Sequence, residues 1–204
     1  MLRFLAWVVG ILGVVGLGLY AFVFDVWVVP GDDPQLTASV APTLSPGDVV
    51  LLLRRPGLDH GYLTRCPDPQ APGRFVVARA IARGGETVDF AGEIVSVDGH
   101  HTPSARRCET GDVVVHDPTS DSDLLLACEV EEYGEVDFSV LRSFTSPKSA
   151  PPRHTVDPAR WFLVSDDRHV HLDSRDYGEV DPQACQHVLF RLAQSGRPSL
   201  GVLW

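Results

Sequence analysis

Apolar residues crowd the start of the chain and then thin into short, punctuated runs. From Phe4 to Phe24 the sequence reads FLAWVVGILGVVGLGLYAFVF, 21 residues without a charge, close to the ~20 that carry a helix across a hydrocarbon core. The pattern predicts a membrane span over 4–24. A cleaved secretory signal would have an apolar region of only ~7–15 residues followed by a small-residue site, whereas Asp25-Val26-Trp27-Val28-Val29-Pro30 follows here. The segment therefore reads as an uncleaved anchor. Arg3 lies on one side of it and Asp25, Asp32 and Asp33 on the other, so the positive-inside rule puts residues 1–3 in the cytoplasm and 25–204 outside it. Trp27 falls at the outer interface, where indole is favoured.

Beyond the anchor come short runs rich in β-branched residues: Val49–Leu53, Phe75–Ala78, Ile94–Val97, Trp161–Val164 and His187–Phe190, each of strand length. Pro46-Gly47, Pro56-Gly57, Gly84-Gly85, Ala91-Gly92 and Asp98-Gly99 punctuate them as turns. No segment after Phe24 keeps a helical period beyond two turns, and there is no internal repeat. The expectation is one mainly β domain, with Pro147–Pro152 as a loop. Cys66, Cys108, Cys128 and Cys185 all fall in the exported part, where pairing is expected. Two disulfides can connect in three ways. Cys108 and Cys128 flank the strand-like stretches Asp112–His116 and Leu124–Leu126 and could staple one hairpin. With no CxxC or HxxxH spacing, neither a metal nor a cofactor is expected.

At 204 residues the chain holds one globular domain plus the anchor. A net charge of −10 and a pI near 5.1 leave no basic stripe for phosphates, which excludes nucleic acid as a partner. Of the 17 basic residues only Lys148 is a lysine; no function is drawn from that bias.

Three islands carry the chemistry. The first is Thr37-Ala38-Ser39-Val40-Ala41-Pro42-Thr43-Leu44-Ser45-Pro46-Gly47-Asp48, and it resembles the signal peptidase I box in which serine, methionine, any residue, proline, threonine and leucine precede Gly-Asp. Val40 stands where that box has methionine. The second, Ala78-Arg79-Ala80-Ile81-Ala82-Arg83-Gly84-Gly85-Glu86-Thr87-Val88, is similar to the family's Lys-Arg-Val-Ile-Gly-Leu-Pro-Gly-Asp box. The third runs from Ser165 to Gly178; it resembles the Gly-Asp-Asn-Arg box ending in Asp-Ser-Arg. The three stand in family order, and the unmatched stretch at about 100–160 reads as a variable insertion.

The resemblance implies a signal-peptidase-like β domain with an inserted β subdomain, anchored in the cytoplasmic (inner) membrane by one span. It further implies a serine endopeptidase that removes signal peptides from exported preproteins at the outer face, with signal peptides and the lipid bilayer as partners. Ser39 is then the nucleophile, helped by its own N–H, and the Thr37 hydroxyl is a candidate oxyanion donor. Arg79 and Asp173 are expected to pair, with Ser174 and Arg175 as further structural support.

One departure changes the reading. The position of the general-base lysine is Ala78, which cannot accept a proton, and Arg79 beside it stays protonated. His171, in the third island, is the candidate replacement base; His169, two residues earlier, points elsewhere if that segment is extended. Lys148 lies in the insertion, away from the islands in sequence. The alternative is a catalytically inactive homologue, a pseudopeptidase that binds signal peptides or partner proteins. A self-cleaving Ser/Lys regulator loses on the span and on the absence of a DNA-binding region.

Overall fold

A computed structural model describes residues 2–54, 57–101, 104–134, 136–144 and 151–203. Helix α1 (Leu2–Val23) runs directly into strand β1 (Phe24–Val28), and α2 (Pro34–Ser39) precedes β2 (Val49–Arg54), β3 (Leu63–Pro67), β4 (Phe75–Arg83), β5 (Thr87–Ala91) and β6 (Ile94–Val97). The stretch expected as an insertion contains β7 (His100–His101), β8 (Ser104–Arg107), β9 (Val113–Asp117), β10 (Ser122–Tyr133), β11 (Val136–Arg142) and β12 (His154–Thr155). After it come β13 (Trp161–Val164), α3 (Ser174–Tyr177), a 3₁₀ turn at Pro182–Ala184, β14 (Gln186–Gln194) and β15 (Arg197–Val202). The chain is mainly β, with several sheets. Lys148 and most of the Pro147–Pro152 loop lie outside the described residues.

The principal sheet has seven strands in the order β1-β2-β14-β3-β4-β13, with β15 also on β14, and alternation decides what each face buries. Val50, Leu52, Leu63, Val77 and Val188 pack with Leu36 and Val40 on one face. Val76, Ala78 and Ala80 of β4 turn to the other and meet Leu163, Tyr177 and Val180. Each fully buried Val or Leu among these contributes roughly 1.5–3 kcal/mol, so this two-faced β4 is the spine of the domain. The remaining strands form two four-stranded sheets, one holding β8 to β11 and the other β12-β5-β6-β7. Cys108 is bonded to Cys128 at the base of the β9–β10 hairpin, and Cys66 to Cys185 in the layer beneath β4. Gly84 follows β4 where a Cβ would lie 2.3 Å from the Pro158 carbonyl oxygen; only glycine fits that approach.

Helix α1 has 22 residues, about 33 Å at 1.5 Å per residue. Its side chains are described without a gap only over 3–18, and among the described residues no helix is long and apolar enough to cross a membrane. Phe24, expected at the end of the span, instead opens β1 and pairs with Leu53. A second apolar surface adjoins α1. Val26, Leu51, Phe190 and Val202 form one cross-strand row over β1, β2, β14 and β15, on the face opposite the Val50 and Leu52 core. Leu200 beside it is 86% exposed.

Candidate active site

The first island folds as α2 because Asp33 caps it, accepting from the Leu36 N–H at 3.1 Å, and Pro34 sets its first turn. The helix puts Leu36 and Val40 against Val77 of β4 and Ala38 against Val115, Leu141 and Val170. Ser39 sits at its last position with 0% exposure. Its hydroxyl donates to the Leu36 carbonyl at 2.9 Å, and its own carbonyl accepts from the Asp167 N–H at 3.1 Å. The Thr37 hydroxyl is buried with no hydrogen-bond partner among the described residues.

The second island meets the third through Arg79, though not at the partner expected. The Arg79 Nε donates to Asp166 Oδ1 at 2.9 Å and Nη2 to Oδ2 at 3.3 Å, while Nη1 serves the carbonyls of Gly61 and Leu203. The Thr43 hydroxyl donates to the same carboxylate, so Asp166 joins all three islands. Asp173 pairs with Arg175 instead, at 2.6 Å, and accepts from the Ser165 N–H. The reason is local: Asp173 caps α3 in a box closed by Asp176, which directs its carboxylate at its own turn. Burial pushes the Asp173 carboxyl up, but the Arg175 charge and hydrogen bond, with the Ser165 N–H, overcome this and leave it well below the ordinary range. Ser174 turns inward, its hydroxyl accepting from the Leu163 N–H at 2.9 Å. Thus Asp173, Ser174 and Arg175 brace the third island.

Ala78 is 1% exposed in the layer holding Val76, Leu163, Tyr177 and the Cys66–Cys185 bridge, on the face of β4 opposite the Val77 side against which α2 packs. His171 comes to α2 by its backbone, its carbonyl accepting from the Gln35 side chain at 2.9 Å. Its ring turns to Asp176, with Nδ1 to Oδ2 at 2.7 Å. No hydrogen bond joins His171 to Ser39 among the described residues. His169 engages Glu93 at 2.7 Å. The ligand atoms of His171, Asp173 and Asp176 lie within 4.8 Å of one another, but Asp173 is committed to Arg175 and Ser165, which makes the trio a capping cluster.

Sequence reasoning missed three contributors. Asp166 was within the third island but hidden by a more familiar partner. Gln35 has no motif to mark it. Glu131 reaches in from β10 to hold Arg168 at 2.6 Å, both fully buried, and nothing in the sequence signals that a residue of the insertion braces the site. Beside α2, a cavity of about 700 Å³ opens between Asp32–Leu36 and Gly73–Phe75. Strand β13 pairs with β4 only from Arg79 to Arg83, leaving that edge of Phe75–Ala78 without a strand among the described residues.

A mainly β domain with a serine closing a short helix, braced by an Arg–Asp pair between two charged boxes, defines a signal-peptidase-like protein. The family described as signal peptidase, peptidase S26, matches residues 1–187, and the chain belongs to it. Among solved structures, a signal peptidase I from Enterococcus faecalis V583 is similar at 19% identity and a TM-score of 0.38, over 64% of this chain and 95% of that one. Comparison with curated proteins found no match.

Proposed function

We propose that this family member is an anchored pseudopeptidase that binds signal peptides of exported preproteins at the outer face of the cytoplasmic membrane and leaves them uncut. One observation carries the reading: the Ser39 hydroxyl is committed to the Leu36 carbonyl, with no base in hydrogen-bond reach among the described residues. A serine becomes a nucleophile only when a base takes its proton across about 2.6–3.2 Å. In this reading Ala78 occupies the family's lysine position, and an alanine cannot take a proton. The bound segment lies extended along the open edge of Phe75–Ala78 as an added strand. Helix α1 is the single-pass anchor, amino terminus in the cytoplasm, because apolar side chains such as Phe22, 84% exposed, belong in lipid rather than water. The apolar row from Val26 to Val202 adjoins this anchor and rests against the bilayer.

A second reading, a serine endopeptidase using Ser39 and His171, is favoured by two features of the same site. The Thr37 hydroxyl is a buried donor with no acceptor among the described residues, which suits an oxyanion position. Asp176 holds His171 Nδ1, which leaves Nε2 as the ring's proton acceptor. Cleavage would need the Ser39 hydroxyl to leave Leu36 and the imidazole to approach it. The test is turnover of a signal-peptide-bearing preprotein by the full chain in lipid vesicles. No cleavage is expected. Cleavage that is lost in Ser39→Ala and falls roughly 10²–10⁴-fold in His171→Ala would establish the second reading.

A further inference from the structure

The cavity beside α2 has a chemistry of its own. Its walls include Trp27, Asp32, Asp33, Arg74, Phe75 and Pro118, and its charges do not balance. Asp33 accepts from the Leu36 N–H and from Arg74 at 2.5 Å. That hydrogen bond, and the Asp33 charge behind it, raise the Arg74 pKa, so these two groups answer each other. Asp32 is exposed and has no hydrogen bond or ion pair among the described residues. Arg65 lies against the Trp27 and Phe75 rings, at 5.2 and 4.3 Å, but it is largely buried and shares Asp25 with Arg54, at 3.6 and 3.5 Å. The cavity wall therefore presents one carboxylate, Asp32, without a partner among the described residues, together with two aromatic rings.

Its second property is where it leads. The cavity reaches β4 at Phe75, the first residue of the edge that β13 leaves uncovered. An extended chain added along Phe75–Ala78 would pass from the cavity toward Ala78 over roughly 10 Å at 3.3 Å per residue. A side chain about three residues from the point facing Ala78 would thus enter the cavity. A Lys or Arg there suits both parts of the wall, its stem and charge against the rings and its cation at Asp32.

We infer that the polypeptide segments taken by this groove carry a basic side chain, lodged beside Trp27 and Phe75 with its charge on Asp32. This rests on the peptide-binding reading and narrows it to a substrate class: exported chains with a Lys or Arg close to the bound stretch, rather than any segment with small apolar side chains. An exposed ion pair and a cation–π contact together correspond to about a tenfold preference.

The experiment uses the full chain in vesicles and a set of signal-peptide segments in which one Lys is moved position by position, each matched to a norleucine counterpart. Binding is read by fluorescence anisotropy. One position is expected at which Lys binds about tenfold tighter than norleucine, a ratio that shrinks with added salt. Asp32→Asn should bring that ratio close to one, and Asp32→Lys should make Glu the preferred residue there. Peptides that bind with no Lys preference at any position would overturn the inference and leave the peptide-binding reading standing. Failure of every peptide to bind would overturn both.

Discussion

Arg79→Ala is expected to cost the domain about 3–5 kcal/mol, because it strips one partner from a buried ion pair and leaves the other uncompensated. Arg79 is 2% exposed and Asp166 1%. The guanidinium serves both Asp166 oxygens and two backbone carbonyls, and it lies 4.4 Å from the Phe138 ring centroid. Arg79→Lys should recover little, since an ammonium cannot reproduce that planar fork. With whole domains stable by only about 5–15 kcal/mol, loss on this scale brings the protein near its unfolding threshold. Urea unfolding is the measurement. Asp166→Ala should match it, and a double variant, Arg79→Met with Asp166→Leu, should lose less than the two single losses combined. A cost below about 1 kcal/mol for Arg79→Ala would mean that this pair does not hold the islands together.

Acid should weaken the fold through His187. The ring packs at a tilt against Tyr62, centroids 4.3 Å apart, and its Nε2 is buried without a partner among the described residues. Burial first, and the Arg79 charge second, hold its pKa at about 4 against an ordinary 6.5, with Asp59 opposing. The folded state therefore binds fewer protons than the unfolded state between those values, so stability is full above about pH 6.5 and falls as the pH drops to about 4. With allowance for solvent screening the loss is about 2 kcal/mol. His60, His116, His154, His169 and His171 pair with carboxylates. The readout is accordingly the difference between the native chain and His187→Phe across that window. A difference that does not change with pH would remove His187 from the acid response.

Much of this architecture could be read from residue pattern, and the parts that could not share a physical reason. Val49–Leu53, Ile94–Val97 and Trp161–Val164 are strands with bounds close to those expected, because an unbroken apolar run between turn signals leaves little else. The Cys108–Cys128 staple was one option among three connectivities, suggested by the two strand-like stretches between them, and it is the one formed. Cys66–Cys185, 119 residues apart, depends on β3 and the start of β14 becoming neighbours, which no local pattern encodes. Helix α2 is too short to show a period; its marks are the Asp33 cap and Pro34, and these gain meaning only once the chain around them is placed. The Arg79 partner was misread because Asp166 and Asp173 are equally plausible carboxylates in one dimension. Capping of α3 decides between them in three. The direction of the Ser39 hydroxyl, on which the functional reading turns, is likewise a matter of local geometry that no motif specifies.

The most direct test places a photo-reactive benzoylphenylalanine at Phe75, on the open edge of β4, in the full chain held in vesicles with a preprotein, and reads the mass of the adduct. An adduct equal to the two intact chains, with no mature protein released, is the expected result. Absence of an adduct, or release of mature protein that stops in Ser39→Ala, would contradict the account.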